Sequence, residues 1–310
     1  MNGRRKLIAA LGAAGLTATL SATGSAATAS ADTGTGTVTG EVLVGVDQDL
    51  YGVNAATGAR RRITTTGDVG QASFSPDGTR IAYMRWLDGA KPDLWVMNAD
   101  GSGQVRLTNT PVVRERAPSW SPDGTRLVFE RLIGKNSNPS LAVMPAVPGA
   151  AVTVIRSSDH NDECPLGQAY VTPRWTSRNQ IVANRFCFQP SGASKTRIAV
   201  YSPTGRPIKA VPASTWQLDV DPTGTKVVFL AGDARPVVKV LDLDTSRITT
   251  LTNSTQWSWL PIWSPDGVSI AWQYKDDTDT YVMNADGSNK RRLFQNWAVF
   301  VDTYDWRAVG

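Results

Sequence analysis

Trp120-Ser121-Pro122-Asp123-Gly124-Thr125-Arg126-Leu127-Val128-Phe129 is the stretch on which the fold turns. Ser-Pro-Asp-Gly is turn chemistry: Pro sets φ at the second position, Asp bonds its own backbone, and Gly supplies a positive φ. The residues after it alternate as a strand does. The phrase returns as Ser75-Pro76-Asp77-Gly78 and Ser264-Pro265-Asp266-Gly267, with degenerate copies at Thr176-Ser177-Arg178-Asn179 and Asp221-Pro222-Thr223-Gly224. A bulky apolar residue precedes each copy: Phe74, Trp120, Trp175, Val220 and Trp263. A sixth copy keeps only that residue, Trp306. The steps between these positions are 46, 55, 45, 43 and 43 residues. A strand-and-turn period of roughly 40–45 residues is the spacing of a β-propeller blade.

The second half of each unit is also repeated. Asp93-Leu94-Trp95-Val96-Met97-Asn98-Ala99-Asp100-Gly101 has a counterpart in Asp279-Thr280-Tyr281-Val282-Met283-Asn284-Ala285-Asp286-Gly287, and a weaker one beginning Asp49-Leu50-Tyr51. Each blade thus reads as strands a to d, with a ending at the apolar residue. In the second blade the spans are Ala117–Trp120, Arg126–Glu130, Asn138–Met144 and Ala151–Ile155. The N-terminal end offers b, c and d, beginning at Val42–Val46, but no a strand. Trp306 lies in an a strand with no b, c and d after it. The expectation is an all-β, six-bladed propeller over 41–310, closed by strand exchange between the two ends, which removes free sheet edges. The apolar residue before each turn is expected to pack between blades, and the turn Asp to cap its own backbone.

Residues 1–31 read as a secretory signal: Arg4, Arg5 and Lys6, then an apolar stretch from Leu7 to Leu20, then Ala29-Ser30-Ala31 as a cleavage site. The Arg pair resembles a twin-arginine signal but departs from it at Gly3 and Leu7. Residues 32–40 form a Thr/Gly linker. The signal carries three of the 32 basic residues and none of the 27 acidic ones, so the mature chain is close to neutral. Nothing in that balance calls for nucleic acid. The mature chain has no transmembrane stretch, and a released or envelope-located monomer is expected. Cys164 and Cys187 are the only cysteines. In an exported chain they point to one disulfide, the alternative being two separate small hydrophobes.

The units at Trp120–Phe129 and Leu94–Gly101 resemble the TolB-like propeller repeats, also called WD40-like or PD40 repeats. The resemblance runs over about residues 41 to 309. It implies a six-bladed ring. The family's namesake carries an additional α/β domain before its propeller, so the expectation here is a stand-alone propeller. The resemblance further implies binding of proteins at the propeller mouth.

That mouth is rimmed by the d-to-a connections, four to six residues before each apolar position. Charges gather there at Arg114, Glu115, Arg116 and Asp302, and aromatics at Trp216, Trp257 and Trp259, with Trp297 and Phe300 nearby. Tryptophans of this kind stack on sugars or anchor a peptide. The alternative is ordinary inter-blade packing. The 55-residue step holds an insertion, 156–172, with the chain's single His, His160. One His excludes a multi-His metal site, and no G-x-S-x-G elbow is present. No cofactor, metal ligand set or catalytic residue is assigned. Asp276-Asp277 with Asp279, and Asp47 with Asp49, read as solvated turns rather than as a calcium site. The expected function is non-enzymatic binding of a protein or cell-envelope glycan at the mouth. The alternative is a carbohydrate-active hydrolase or lyase whose carboxylates come from Glu115, Asp219, Asp302 and Asp305, provided two of them converge in the channel.

Overall fold

In the computed structural model, residues 38–309 are described, except 88–90, 135–136, 193, 214, 216, 233–234, 254, 256, 275–278 and 296–300; residues 301–304 are described by backbone alone. They belong to one compact unit, Gly36–Gly310. The signal segment and most of the linker lie outside the described residues.

The N-terminal strands are β1 (Glu41–Val46), β2 (Asp49–Asn54) and β3 (Arg60–Arg62). The first complete blade is β4 (Val69–Phe74), β5 (Arg80–Arg85), β6 (Asp93–Asn98) and β7 (Val105–Arg106). The second is β8 (Val113–Trp120), β9 (Arg126–Ile133), β10 (Ser140–Pro145) and β11 (Thr153–Arg156). The third is β12 (Gln168–Trp175), β13 (Ile181–Phe188), β14 (Ser194–Tyr201) and β15 (Pro207–Pro212). The fourth is β16 (Leu218–Val220), β17 (Lys226–Ala231), β18 (Val237–Asp242) and β19 (Ile248–Thr250). The fifth is β20 (Ser258–Trp263), β21 (Ser269–Tyr274), β22 (Thr280–Asn284) and β23 (Arg291–Phe294). Last comes β24 (Val301–Arg307), which pairs antiparallel with β1 and completes the sixth blade in the order β24-β1-β2-β3. Every sheet is four-stranded and no described residue is helical.

The turns form as their chemistry dictates. In Ser75–Gly78, the Gly78 N–H donates to the Ser75 carbonyl (2.8 Å), and Asp77 Oδ1 accepts from Ser75 Oγ (2.5 Å) and the Thr79 N–H (3.1 Å). The degenerate copies keep this geometry with other atoms. Asn179 stands where the others have Gly, at φ 55°. Asp221 takes the place of Ser, its Oδ1 accepting from the Thr225 and Lys226 N–H groups at 2.8 and 2.6 Å.

Phe74, Trp120, Trp175, Trp263 and Trp306 are buried, and Val220 is half-buried. Each buried core cluster joins residues of neighbouring sheets, so a blade buries its faces only against its neighbours. An arginine lies over three of these residues. Arg80 sits 4.5 Å from the Trp120 ring, Arg126 4.7 Å from Trp175, and Arg307 4.6 Å from Phe74. Arg80 also donates to the Gly124 carbonyl (2.7 Å), so it grips both the ring and the turn of the next blade. At the seam the same place is filled by Arg307, which donates to the Gly78 carbonyl and pairs with Glu41.

The inner strands depart from simple alternation. Gln71, Ala117, Thr172 and Leu260 have φ of 41°, 52°, 49° and 47°, each three residues before the apolar position. At these points the a–b register slips, as in a β-bulge. The bulge lets the strand run on past it. In the second blade it extends β8 back to Val113, so Arg114, Glu115 and Arg116 are strand residues, not loop residues.

Truncating Trp175 to Ala should cost about 3–5 kcal/mol of unfolding free energy by urea titration. Arg126→Ala should cost about 1 kcal/mol through loss of the stacked cation.

Candidate functional site

In five of the six blades the residue just before the apolar position is polar or charged and ties one inner strand to the next; in the fifth it is Ile262, a buried core residue. Ser73 Oγ donates to the Pro118 carbonyl (2.9 Å), and Ser119 Oγ accepts the Trp175 N–H (3.1 Å). Arg174 Nε donates to Asp219 Oδ1 (3.1 Å), while Asp219 Oδ2 accepts the Trp263 N–H (2.9 Å). Asp305 Oδ2 accepts the Phe74 N–H (2.7 Å) and its Oδ1 accepts its neighbour's, that of Trp306 (2.9 Å). All four oxygens of Asp219 and Asp305 are thus engaged by the protein. The two carboxylates still sense each other. Burial first, and then the charge of Asp219, push the Asp305 carboxyl up to about 6, against the opposing pull of Arg174 and the two N–H groups.

Towards the mouth, the second blade carries two strand-crossing ion pairs. Glu115, fully buried, accepts from Arg131 (3.1 Å) and lies near Asp93; burial holds its carboxyl above the ordinary range. Arg116 donates to Glu130 (2.6 Å), whose other oxygen accepts the Thr172 N–H (2.9 Å). Glu115 and Arg116 are therefore spent on joining β8 to β9 and the second blade to the third. Arg114 is half-buried and reaches the Gly134 carbonyl at 3.5 Å. Trp257 and Trp259 are half-buried, and Trp259 packs on the core shared by the fourth and fifth blades. Trp216, Trp297, Phe300 and the pair Asp276-Asp277 lie outside the described residues, as does the side chain of Asp302. Of the four carboxylates named from sequence, Asp219 and Asp305 come together and Glu115 stands apart with Asp93.

Two mouth features carried little sequence signal. Val112 and Ile133 are 62% and 61% exposed, and they flank the mouth end of the β8–β9 ladder, where Val113 pairs with Ile133. Leu166, before β12, is 59% exposed on the same side of the ring. Single aliphatics look like noise in a sequence until the strand ends place them at one end of a ladder.

The insertion before β12 is held from below. Cys164 and Cys187 form a disulfide with Cα atoms 5.0 Å apart. Arg185 pairs with Glu163 (2.7 Å), and Gln168 Nε2 donates to the carbonyls of Ser157 and Asp159. His160 is exposed on this loop. Among the described residues, no group of three or more His, Cys, Asp or Glu could hold a metal ion.

On the opposite face, the seam between the sixth and first blades opens into a cleft of about 690 Å3. Glu41, Arg60, Arg61, Arg307, Asn98 and Asp100 are among its walls. Glu41 accepts from Arg61 (2.7 Å) and from Arg307. Gly52 leaves the room that Glu41 fills: a Cβ there would stand 1.9 Å from its Oε1.

Because Asp305 is more protonated folded than unfolded between about pH 4 and its folded value of about 6, stability should fall as pH rises through that window. Asp305→Asn should flatten this part of the profile, as read by thermal unfolding at a series of pH values.

No protein-family profile matches the chain. Over 47 residues it is 49% identical to the Tol-Pal system protein TolB of Anaeromyxobacter dehalogenans strain 2CP-C; this is 15% of the chain but only 10% of that relative, so the chain matches about a tenth of its length. The crystal structure of TolB from Acinetobacter baumannii has the same fold, with a TM-score of 0.67 at 16% identity over 87% of this chain and 67% of that one. An oligogalacturonate lyase in complex with manganese also shares it, with a TM-score of 0.55 at 16% identity over 81% and 73% of the two chains. The fold is common to TolB and to a lyase, so it does not by itself choose a function. Its repeated Trp-Ser-Pro-Asp-Gly and Asn-Ala-Asp-Gly units, and six sheets closed by β24 on β1, make the chain a TolB-like six-bladed β-propeller.

Proposed function

We propose that the protein is an exported, non-enzymatic propeller that binds a protein partner at its mouth. The observation that carries this reading is the exposure of Val112 and Ile133, two aliphatics that flank the mouth end of the β8–β9 ladder, where Ile133 pairs with Val113. Exposed apolar side chains gathered on one face, with Arg and Trp nearby, have the composition of an interface core. Arg114 on β8 follows Val112 and Val113, and the half-buried Trp257 and Trp259 stand at the start of the fifth blade's inner strand. The reading is supported by the local identity to a Tol-Pal system protein. Export rests on the basic, apolar and small-residue order of residues 1–31. No helix among the described residues is long and apolar enough to cross a membrane.

Asp219 and Asp305 favour binding over hydrolysis. A glycosidase needs one carboxyl free to give a proton and one free to attack or to activate water. Here every oxygen of the pair accepts a hydrogen bond from the protein, three of the four from backbone N–H groups. The pair is built as part of the wall.

Affinity capture from an envelope extract tests the reading. The parent chain is expected to retain a specific protein, and Val112→Asp/Ile133→Asp to reduce recovery at least tenfold. Trp257→Ala/Trp259→Ala should weaken capture less. Recovery of a glycan in place of a protein, or equal recovery by all variants, would refute a protein-binding mouth.

A further inference from the structure

The outer rim of the ring is electrically lopsided. The d strands of the fifth and sixth blades carry Arg291 and Arg292 on β23, with Lys290 just before it, and Arg60, Arg61 and Arg62 on β3. These strands are neighbours: Arg60 Nη2 donates to the Gln295 carbonyl (2.7 Å) beyond the end of β23, and Phe294 packs with Val53 and Ala55 in one core cluster. On the second to fourth blades the d strands carry at most one basic residue each, Arg156 on β11 and Lys209 on β15, and expose aliphatics. Val154 on β11, Ile208 on β15 and Ile248 on β19 are 43%, 50% and 39% exposed.

The ion pairs that Arg61, Arg62 and Arg292 make do not neutralise the surface. Arg61, Arg62 and Arg292 have side chains 42%, 50% and 51% exposed, whereas those of their partners Glu41, Asp49 and Asp279 are 11%, 6% and 13% exposed. Each pair faces its cation outward and its anion inward. Solvent and ligand therefore meet positive charge first, and the buried carboxylates hold the guanidinium groups in place. Two exposed carboxylates, Asp100 in the wall of the seam cleft and Asp286 in the turn before β23, keep their charge and are each held by a serine of their own turn, Ser102 and Ser288. The seam cleft opens beside this rim and shares Arg60 and Arg61 with it.

We propose that the outer edge of the fifth and sixth blades, together with the seam cleft, is a docking surface for a phosphodiester polymer. Five of the six basic residues are arginine. A guanidinium offers paired N–H donors that match the two non-bridging oxygens of a phosphodiester, and it stays charged at every relevant pH. Cations strung along two short neighbouring strands suit regularly spaced anions, one per repeat of an extended chain. A single compact anion would use only one or two of them. This surface is distinct from the mouth and does not depend on what binds there.

The test uses the full chain and synthetic poly(glycerol phosphate) in equilibrium binding at several salt concentrations. Binding is expected, with affinity falling log-linearly in salt. Arg60→Gln/Lys290→Gln/Arg291→Gln should lose at least tenfold, and Lys290→Gln/Arg291→Gln an intermediate amount; none of these removes the partner of a buried carboxylate assigned above. Arg206→Gln/Lys239→Gln/Arg247→Gln removes equal charge from the far half and should stay within twofold of the parent, as should Val112→Asp/Ile133→Asp. Equal losses from both triple variants would reduce the effect to net charge and overturn the proposal. Tighter binding of polygalacturonate, a carboxylate polymer, than of poly(glycerol phosphate) would overturn the ligand class. Absence of binding at low salt would overturn the surface itself.

Discussion

Face-to-face contact between neighbouring sheets is the constraint on which everything else rests. A blade of four short strands cannot shield its own faces, so each is stable only between two others. The aromatic residue at the end of the inner strand is the wedge in this contact, and the arginine over it ties wedge and turn together. Arg80 and Arg307 do this at two junctions, and Arg126 covers the wedge at a third. The Ser and Asp residues one step earlier add a second belt, directed at backbone N–H groups that the wedges would otherwise leave unmet.

This constraint also explains which parts of the molecule were readable from sequence. Turn residues have intrinsic conformational preferences, so Ser-Pro-Asp-Gly announces itself even when degraded. Asn179 can replace Gly because Asn tolerates the left-handed region, and Asp221 can replace Ser because either offers an acceptor. The blade count and the closing strand followed from such substitutions alone. The bulges did not. Ala117, Thr172 and Leu260 have no preference for positive φ; the ring imposes it on them, and nothing local marks the place. The extent of β8 was obscured for the same reason, since Arg-Glu-Arg reads as a charged connection at the mouth until β9 supplies Arg131 and Glu130.

The site was less legible than the scaffold. Alignment on the apolar position found the mouth, but it could not tell a charge that faces solvent from one that bridges strands. Glu115 and Arg116 bridge strands, whereas Trp257 and Trp259 keep part of their surface. The Asp that opens several c strands was visible as a repeated letter, and its role was not. Asp49, Asp93 and Asp279 each hold an arginine of the adjoining d strand, a pairing across 13 residues that requires the hairpin to exist first. Exposed aliphatics were the least legible, because their meaning lies in the place that the end of a ladder gives them.

The union of β24 with β1 has a consequence for how the chain is made. A ribosome delivers β1 early and β24 last among the described strands, so the inner edge of β1 has no strand to bond while some 250 further residues emerge. Through that interval the nascent chain is an open arc, and the wedge site around Phe74 lacks Asp305 and Arg307. Any stall or cleavage before residue 301 leaves the arc permanently open, with both of its end blades incompletely covered. Quality control of this protein thus reduces to a single late event, the arrival of seven residues, and truncation at that end is far more damaging than its length implies.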